Sequence, residues 1–107
     1  MPMTPLPLTP VTVHPQANVY FEGKCVSHSV TLEDGSKKSV GVILPSTLIF
    51  TTVAPETMEC VAGSCWHRLT DSTEWLHCGP GQSFQVPGNT SFEIRVEDIY
   101  HYICHFE

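Results

Sequence analysis

One acid stands out by its company. Glu56 lies in the run IFTTVAPETMECVAG, residues 49–63, with Phe50 and Thr52 before it and Gly63 after it. Phe92 comes later, in GQSFQVPGNTSFEIRV, behind Gly81 and Pro87. A divalent transition metal needs three or four nitrogen, sulfur or carboxylate donors at fixed geometry. One carboxylate among two phenyl rings and a hydroxyl falls short, so a pocket built from these residues is expected to be metal-free. The plainer reading of Glu56 is a surface acid beside a turn.

The remaining polar residues offer less. Five basic residues against eleven acidic ones leave a net charge of -6. That balance argues against nucleic acid and against an anionic membrane surface as partners. A phosphate-bearing ligand would need a local site, because the overall field repels it. The cations are Lys24, Lys37, Lys38, Arg68 and Arg95. Arg95 alternates away from Phe92, and Lys37 and Lys38 flank a turn where solvated charge is the ordinary explanation. Cys65, His67, His77 and Cys78 could together bind zinc, but their spacing matches no finger or ribbon. The five cysteines read instead as small buried hydrophobes. Trp66 and Trp75 read as packing residues, and His101 and His105 as solvent or interface, opposite Tyr102 and Cys104 on the core side.

No apolar run is long enough to span a bilayer, and the N-terminus lacks the features of a signal peptide. Reduced thiols in a cytoplasmic protein are therefore expected. At 107 residues the chain is expected to form one domain. Residues 1–17, with prolines at 2, 5, 7, 10 and 15, form an extension expected to be extended or disordered, or to cross to a partner subunit.

From residue 18 to 107 the pattern is short strands between turns. CVSHSVTL places Val26, His28, Val30 and Leu32 on one face, and Asp34-Gly35 signals a hairpin into KSVGVIL. TLIFTT, TMECVA, CWHRL, EWLHC, QSFQV, SFEIRV and YHYICHF are further predicted strands, punctuated by Gly63, Gly79-Pro80-Gly81 and Pro87-Gly88. No helical period persists, and β-branched and aromatic residues fill the apolar positions. The expected class is all-β, an antiparallel barrel or sandwich.

The spacing of the two runs resembles the paired motifs of the cupin barrels. Six residues separate Glu56 from Gly63 and five separate Gly81 from Pro87, as in cupins. Phe50, Thr52 and Phe92 then stand where cupins carry three histidine ligands. The segments NVYFEGK, SVGV, FTTVAPETM, GQSFQVPGNTSFEIRV and the terminal YHYICHFE together resemble one small group of cupins, the pyrimidine/purine nucleoside phosphorylase family. The likeness runs from about residue 18 to 107 and leaves out the proline-rich start.

The resemblance implies a single-domain cupin (RmlC-like) antiparallel β-barrel, or jelly roll. It also implies phosphorolysis of many pyrimidine and purine nucleosides to free base and pentose 1-phosphate, with inorganic phosphate as co-substrate and no other cofactor. In such a pocket Glu56 would accept hydrogen bonds from ribose hydroxyls and stabilise developing positive charge. Phe50 and Phe92 would stack on sugar or base without reading base edges. Thr52 and Ser91 are candidate hydroxyl contacts, Ser91 only if a bulge turns it inward, and Tyr102 is a further substrate contact. Lys24, Ser39 and the backbone at Gly41 are the expected phosphate contacts. A homodimer is expected, since pairing covers open edge strands. The rival reading is a non-catalytic module that binds a nucleoside or small sugar.

Overall fold

The computed structural model describes residues 7–106. Pro2, Pro5 and Glu107 lie outside the described residues. Eleven strands are formed within them: β1 (Val11–Val13), β2 (Asn18–Tyr20), β3 (Cys25–Leu32), β4 (Lys37–Ile43), β5 (Ser46–Thr51) and β6 (Glu56–Gly63). The remainder are β7 (Cys65–Leu69), β8 (Leu76–Cys78), β9 (Ser83–Val86), β10 (Ser91–Val96) and β11 (Tyr100–Phe106). The first sheet runs β1-β3-β4-β11-β6-β9, with β2 also on β3, and the second runs β5-β10-β7-β8.

The pairings β4 with β11, β5 with β10, β6 with β9 and β7 with β8 are nested. The chain goes out along four strands and returns along each in reverse order. Folded over on itself, such a nested hairpin is a jelly roll. The all-β cupin class is therefore correct, although no ladder joins the two sheets among the described residues and the barrel stays open.

Local chemistry accounts for the turns. Asp34 accepts hydrogen bonds from the Ser36 backbone N–H at 2.9 Å and its hydroxyl at 2.6 Å. Gly35 supplies φ +86°, and β3 returns as β4. Gly63 ends β6 at φ +74°, where a Cβ would collide with the Ile99 carbonyl. Only glycine fits there.

Two features add to the sequence reading. The N-terminal extension contributes Val11–Val13 to the first sheet, with Val11 opposite Leu32 and Val13 opposite Val30. Its prolines flank this stretch, and the β-branched residues between them are free to pair at a sheet edge. The expected boundary between residues 17 and 18 thus falls between two strands of one sheet. Secondly, Val26, His28, Val30 and Leu32 share a face of β3 as expected, with Val30 buried there, while the opposite face looks onto the interior between the sheets. Cys25 and Ser27 on that face are buried, and Cys25 joins the central core.

That core is built from both sheets. Ile43, Met58, Cys60, Tyr100 and Tyr102 from the first meet Leu48, Cys65, Phe92, Ile94 and Val96 from the second. Such burial of aliphatic and aromatic side chains supplies the main drive to fold.

Candidate functional site

Between the sheets a cavity of about 280 Å³ remains. The inner face of the first sheet supplies its polar side: Ser27 and Ser29 from β3, Ser39 from β4, Glu56 from β6, and Tyr102 and Cys104 from β11. Phe50 and Phe92 close it from the second sheet. Strand register explains both sets. Phe50 and Phe92 are direct partners across β5 and β10, so their rings stack at 5.6 Å between centroids and 23° between planes. Phe21 meets Phe50 edge-on at 5.2 Å, and Phe84 meets Phe92 at 6.1 Å, which holds the stack in place.

Glu56 is the carboxylate of this cavity. Burial raises its pKa above the ordinary glutamate value, and a hydrogen bond from the Cys104 thiol at 3.4 Å partly offsets that rise. Burial and the adjacent Glu56 charge push Cys104 well above the usual thiol range, so it stays an S–H donor. Burial likewise lifts the Tyr102 phenol, whose oxygen lies 3.4 Å from Cys25 Sγ. Asn18 Nδ2 donates to Ser27 Oγ at 3.3 Å and to Ser29 Oγ at 3.2 Å. One ionisable acid thus faces a set of neutral hydroxyls and an aromatic wall.

The structure brings Phe50, Phe92, Glu56, Tyr102 and Ser39 together around this cavity. It places the other expected residues elsewhere. Thr52 is buried and bonded into the β9–β10 connection, its hydroxyl donating to the Pro87 carbonyl at 2.5 Å. It lies just beyond β5, where the chain leaves the strand alternation, so parity with Phe50 does not aim it at the cavity. Ser91 keeps the opposite parity to Phe92, with no bulge, and bonds Thr51 Oγ1 at 2.8 Å. Gly41 lies behind Tyr102, and a Cβ there would meet the phenol oxygen at 2.9 Å. Lys24 is exposed beside the turn at residues 21–23 and does not line the cavity.

Ser27, Ser29, Asn18 and Cys104 went unrecognised as cavity residues. The two serines were recoverable in principle. The Asp34-Gly35 turn sets Ser29 opposite Ser39 and Ser27 opposite Gly41, so choosing Ser39 implies Ser29. Nothing local in the sequence marks Asn18.

Among the described residues no three of His, Cys, Asp and Glu are grouped to hold a metal ion. The four residues weighed for zinc separate: Cys65 and Cys78 are buried partners across β7 and β8, His77 packs on Trp66 at 4.9 Å, and His67 stacks on Phe84 at 3.6 Å.

The sequence profile of the pyrimidine/purine nucleoside phosphorylases matches residues 15–106. The chain belongs to that family. A pyrimidine/purine nucleoside phosphorylase of Albidiferax ferrireducens is 62% identical over 104 residues, covering 97% of this chain and 99% of the relative. A crystal structure of a protein of unknown function from Acinetobacter sp. ADP1 superposes with a TM-score of 0.92 at 48% identity, covering 94% of this chain and 98% of that one. The EutQ protein of Clostridium difficile shares the fold alone, with a TM-score of 0.64 at 11% identity over 75% of this chain and 59% of its own. Members of the phosphorylase family thus align along nearly the whole chain, through both strands that carry the aromatic wall and the strand that opens with Glu56. No helix among the described residues is long and apolar enough to cross a membrane.

Proposed function

We propose that this protein is a nucleoside phosphorylase of broad specificity, a pentosyltransferase that works without metal. Its substrates are pyrimidine and purine nucleosides such as uridine, cytidine, thymidine, adenosine, inosine, guanosine and xanthosine. Family membership supports phosphorolysis, and the single observation that carries the site assignment is the half-buried Glu56 facing hydroxyls and stacked phenyl rings.

In the reaction a phosphate oxygen bonds to the anomeric carbon as the carbon–nitrogen bond to the base breaks. The bonding pair leaves with the base, which takes up a proton, and pentose 1-phosphate remains. The transition state carries oxocarbenium character on the sugar. Glu56 stabilises that charge and accepts hydrogen bonds from ribose hydroxyls. Its partly desolvated position strengthens both effects relative to water. Ser27, Ser29 and Tyr102 orient the sugar. Phe50 and Phe92 hold the base or sugar by stacking, which every base permits, and this favours breadth over discrimination. Inorganic phosphate is the co-substrate and no other cofactor takes part. The protein works in the cytoplasm as a homodimer and binds neither nucleic acid nor membrane.

The test is release of free base and pentose 1-phosphate from uridine and from inosine, with and without phosphate. Phosphate-dependent release that Glu56→Gln lowers about a hundredfold or more supports the reading. Nucleoside binding without turnover would make the protein a binding module instead.

A further inference from the structure

A second hollow of about 550 Å³ adjoins the Glu56 cavity, and Asn18, Ser29 and Phe106 border both. Lys37 and Lys38 bring two of the chain's five cations to it, and His14 and Thr31, bonded to each other at 3.1 Å, also line it. We propose that this hollow is the phosphate subsite and that Lys37, rather than Lys24, is the cation that contacts the anion. The inference rests on the phosphorylase reading and adds where the co-substrate binds.

Strand parity makes the case for Lys37. Ser39 and Ile43 of β4 are buried toward the interior, and period-two alternation puts Lys37, exposed at the start of the strand, on their face. Across the ladder Ser29 stands opposite Ser39, and Thr31 opposite Lys37. The inner face of this hairpin is therefore a ladder of hydroxyls that ends in an ammonium group. Hydroxyls that donate and a lysine that supplies charge are the groups a phosphate needs.

The other cations are committed elsewhere. Arg68 pairs with Glu93 at 2.8 Å and lies over Trp75, and Arg95 lies over both Trp66 and Trp75. Lys24 borders neither hollow. Lys38 is pinned: its ammonium donates to His105 Nδ1 at 2.6 Å, which leaves Nε2–H to donate to Glu59 at 2.9 Å. Lys38 thus contributes a fixed positive field, and among the described residues no carboxylate pairs with Lys37. In a chain of net charge -6, adjacent lysines make a local well for an anion that the rest of the molecule repels.

Phe106 completes the arrangement. It is the direct partner of Glu56 across β11 and β6 and borders both hollows. It thus marks where the two hollows meet, next to the strand position of the carboxylate.

The experiment compares Lys37→Met and Lys37→Arg with the unaltered protein in two assays. The first is steady-state phosphorolysis with phosphate and nucleoside varied separately. The second is binding of inorganic phosphate alone, followed by phosphorus NMR line broadening. Lys37→Met should raise the phosphate KM by about tenfold to a hundredfold and leave the nucleoside KM unchanged, and Lys37→Arg should recover most of the loss. Phosphate binding should weaken in parallel. An unchanged phosphate KM with unchanged phosphate binding in Lys37→Met overturns the subsite and leaves the phosphorylase reading intact. Phosphate binding that depends on Lys37 in a protein without turnover supports the subsite and overturns the phosphorylase reading.

Discussion

The interior of the jelly roll has two ends built by the same alternation and put to different use. Tyr100 and Tyr102 lie on one face of β11, their rings stacked at 5.8 Å and 11°. Tyr102 borders the Glu56 cavity with Ser27 and Cys104. Tyr100 is fully buried among the thiols of Cys60, Cys65 and Cys78, and its hydroxyl makes no well-formed hydrogen bond among the described residues. Burial pushes Cys65 up to about 12 and Cys60 up to about 11, so these thiols are protonated and inert at neutral pH. One end is a closed core that tolerates polar atoms, and the other is open and positions them. Buried polarity marks a site only where there is also room for a ligand.

Substitutions at the two ends should separate these roles. The largest effect belongs to Phe92, which is 3% exposed. Phe92→Ala should cost about 3–5 kcal/mol in denaturant unfolding, because it removes a core ring as well as a cavity wall. Next comes the tyrosine pair. Tyr102→Phe should weaken nucleoside binding by about tenfold, and Tyr100→Phe should leave activity unchanged and stability equal or higher, since it deletes an unpaired buried hydroxyl. Equal losses of activity in both variants would erase the distinction between the ends.

The smallest effect is on pH. The raised pKa of Glu56 means that its ionised form is lost on acidification sooner than an ordinary glutamate's, so the acid limb of kcat/KM should lie above 4.5. The same shift acts in reverse on stability. The folded state holds the Glu56 proton more tightly than the unfolded chain does. That contribution is therefore present below the unfolded pKa and is lost as pH rises through the folded one. Glu56→Gln should then leave Tm at neutral pH equal or higher, alongside the loss of activity. A lower Tm would show that the carboxylate supports the fold.

Much of the architecture was legible because it depends on local pattern. The Asp34-Gly35 turn, the alternating strands and the glycine at residue 63 each act over a few residues, and nine predicted strands correspond to β3 through β11. Proline density in the extension concealed a pairing stretch of three residues, and the extended chain there adds an edge strand against Val30–Leu32 of β3. Glu56, Phe50 and Phe92 were legible from their spacing. Thr52 was not, since its direction is fixed by bonds to the Pro87 and Thr90 carbonyls.

The sequence by itself determined the strand pattern, the family likeness and the residue types available to a pocket. Only the tertiary structure decided which of those residues meet. Ser27 and Glu56 lie on different strands, separated in the first sheet by β4 and β11, and nothing in either segment records the other. Period two assigns a side chain to one of two faces, but the nested pairing of strands decides which face is inside and what stands opposite. Lys37 shows the limit most clearly. Beside its turn it reads as solvated charge, and only the register that aligns it with Ser39 and Thr31 brings it to the second hollow.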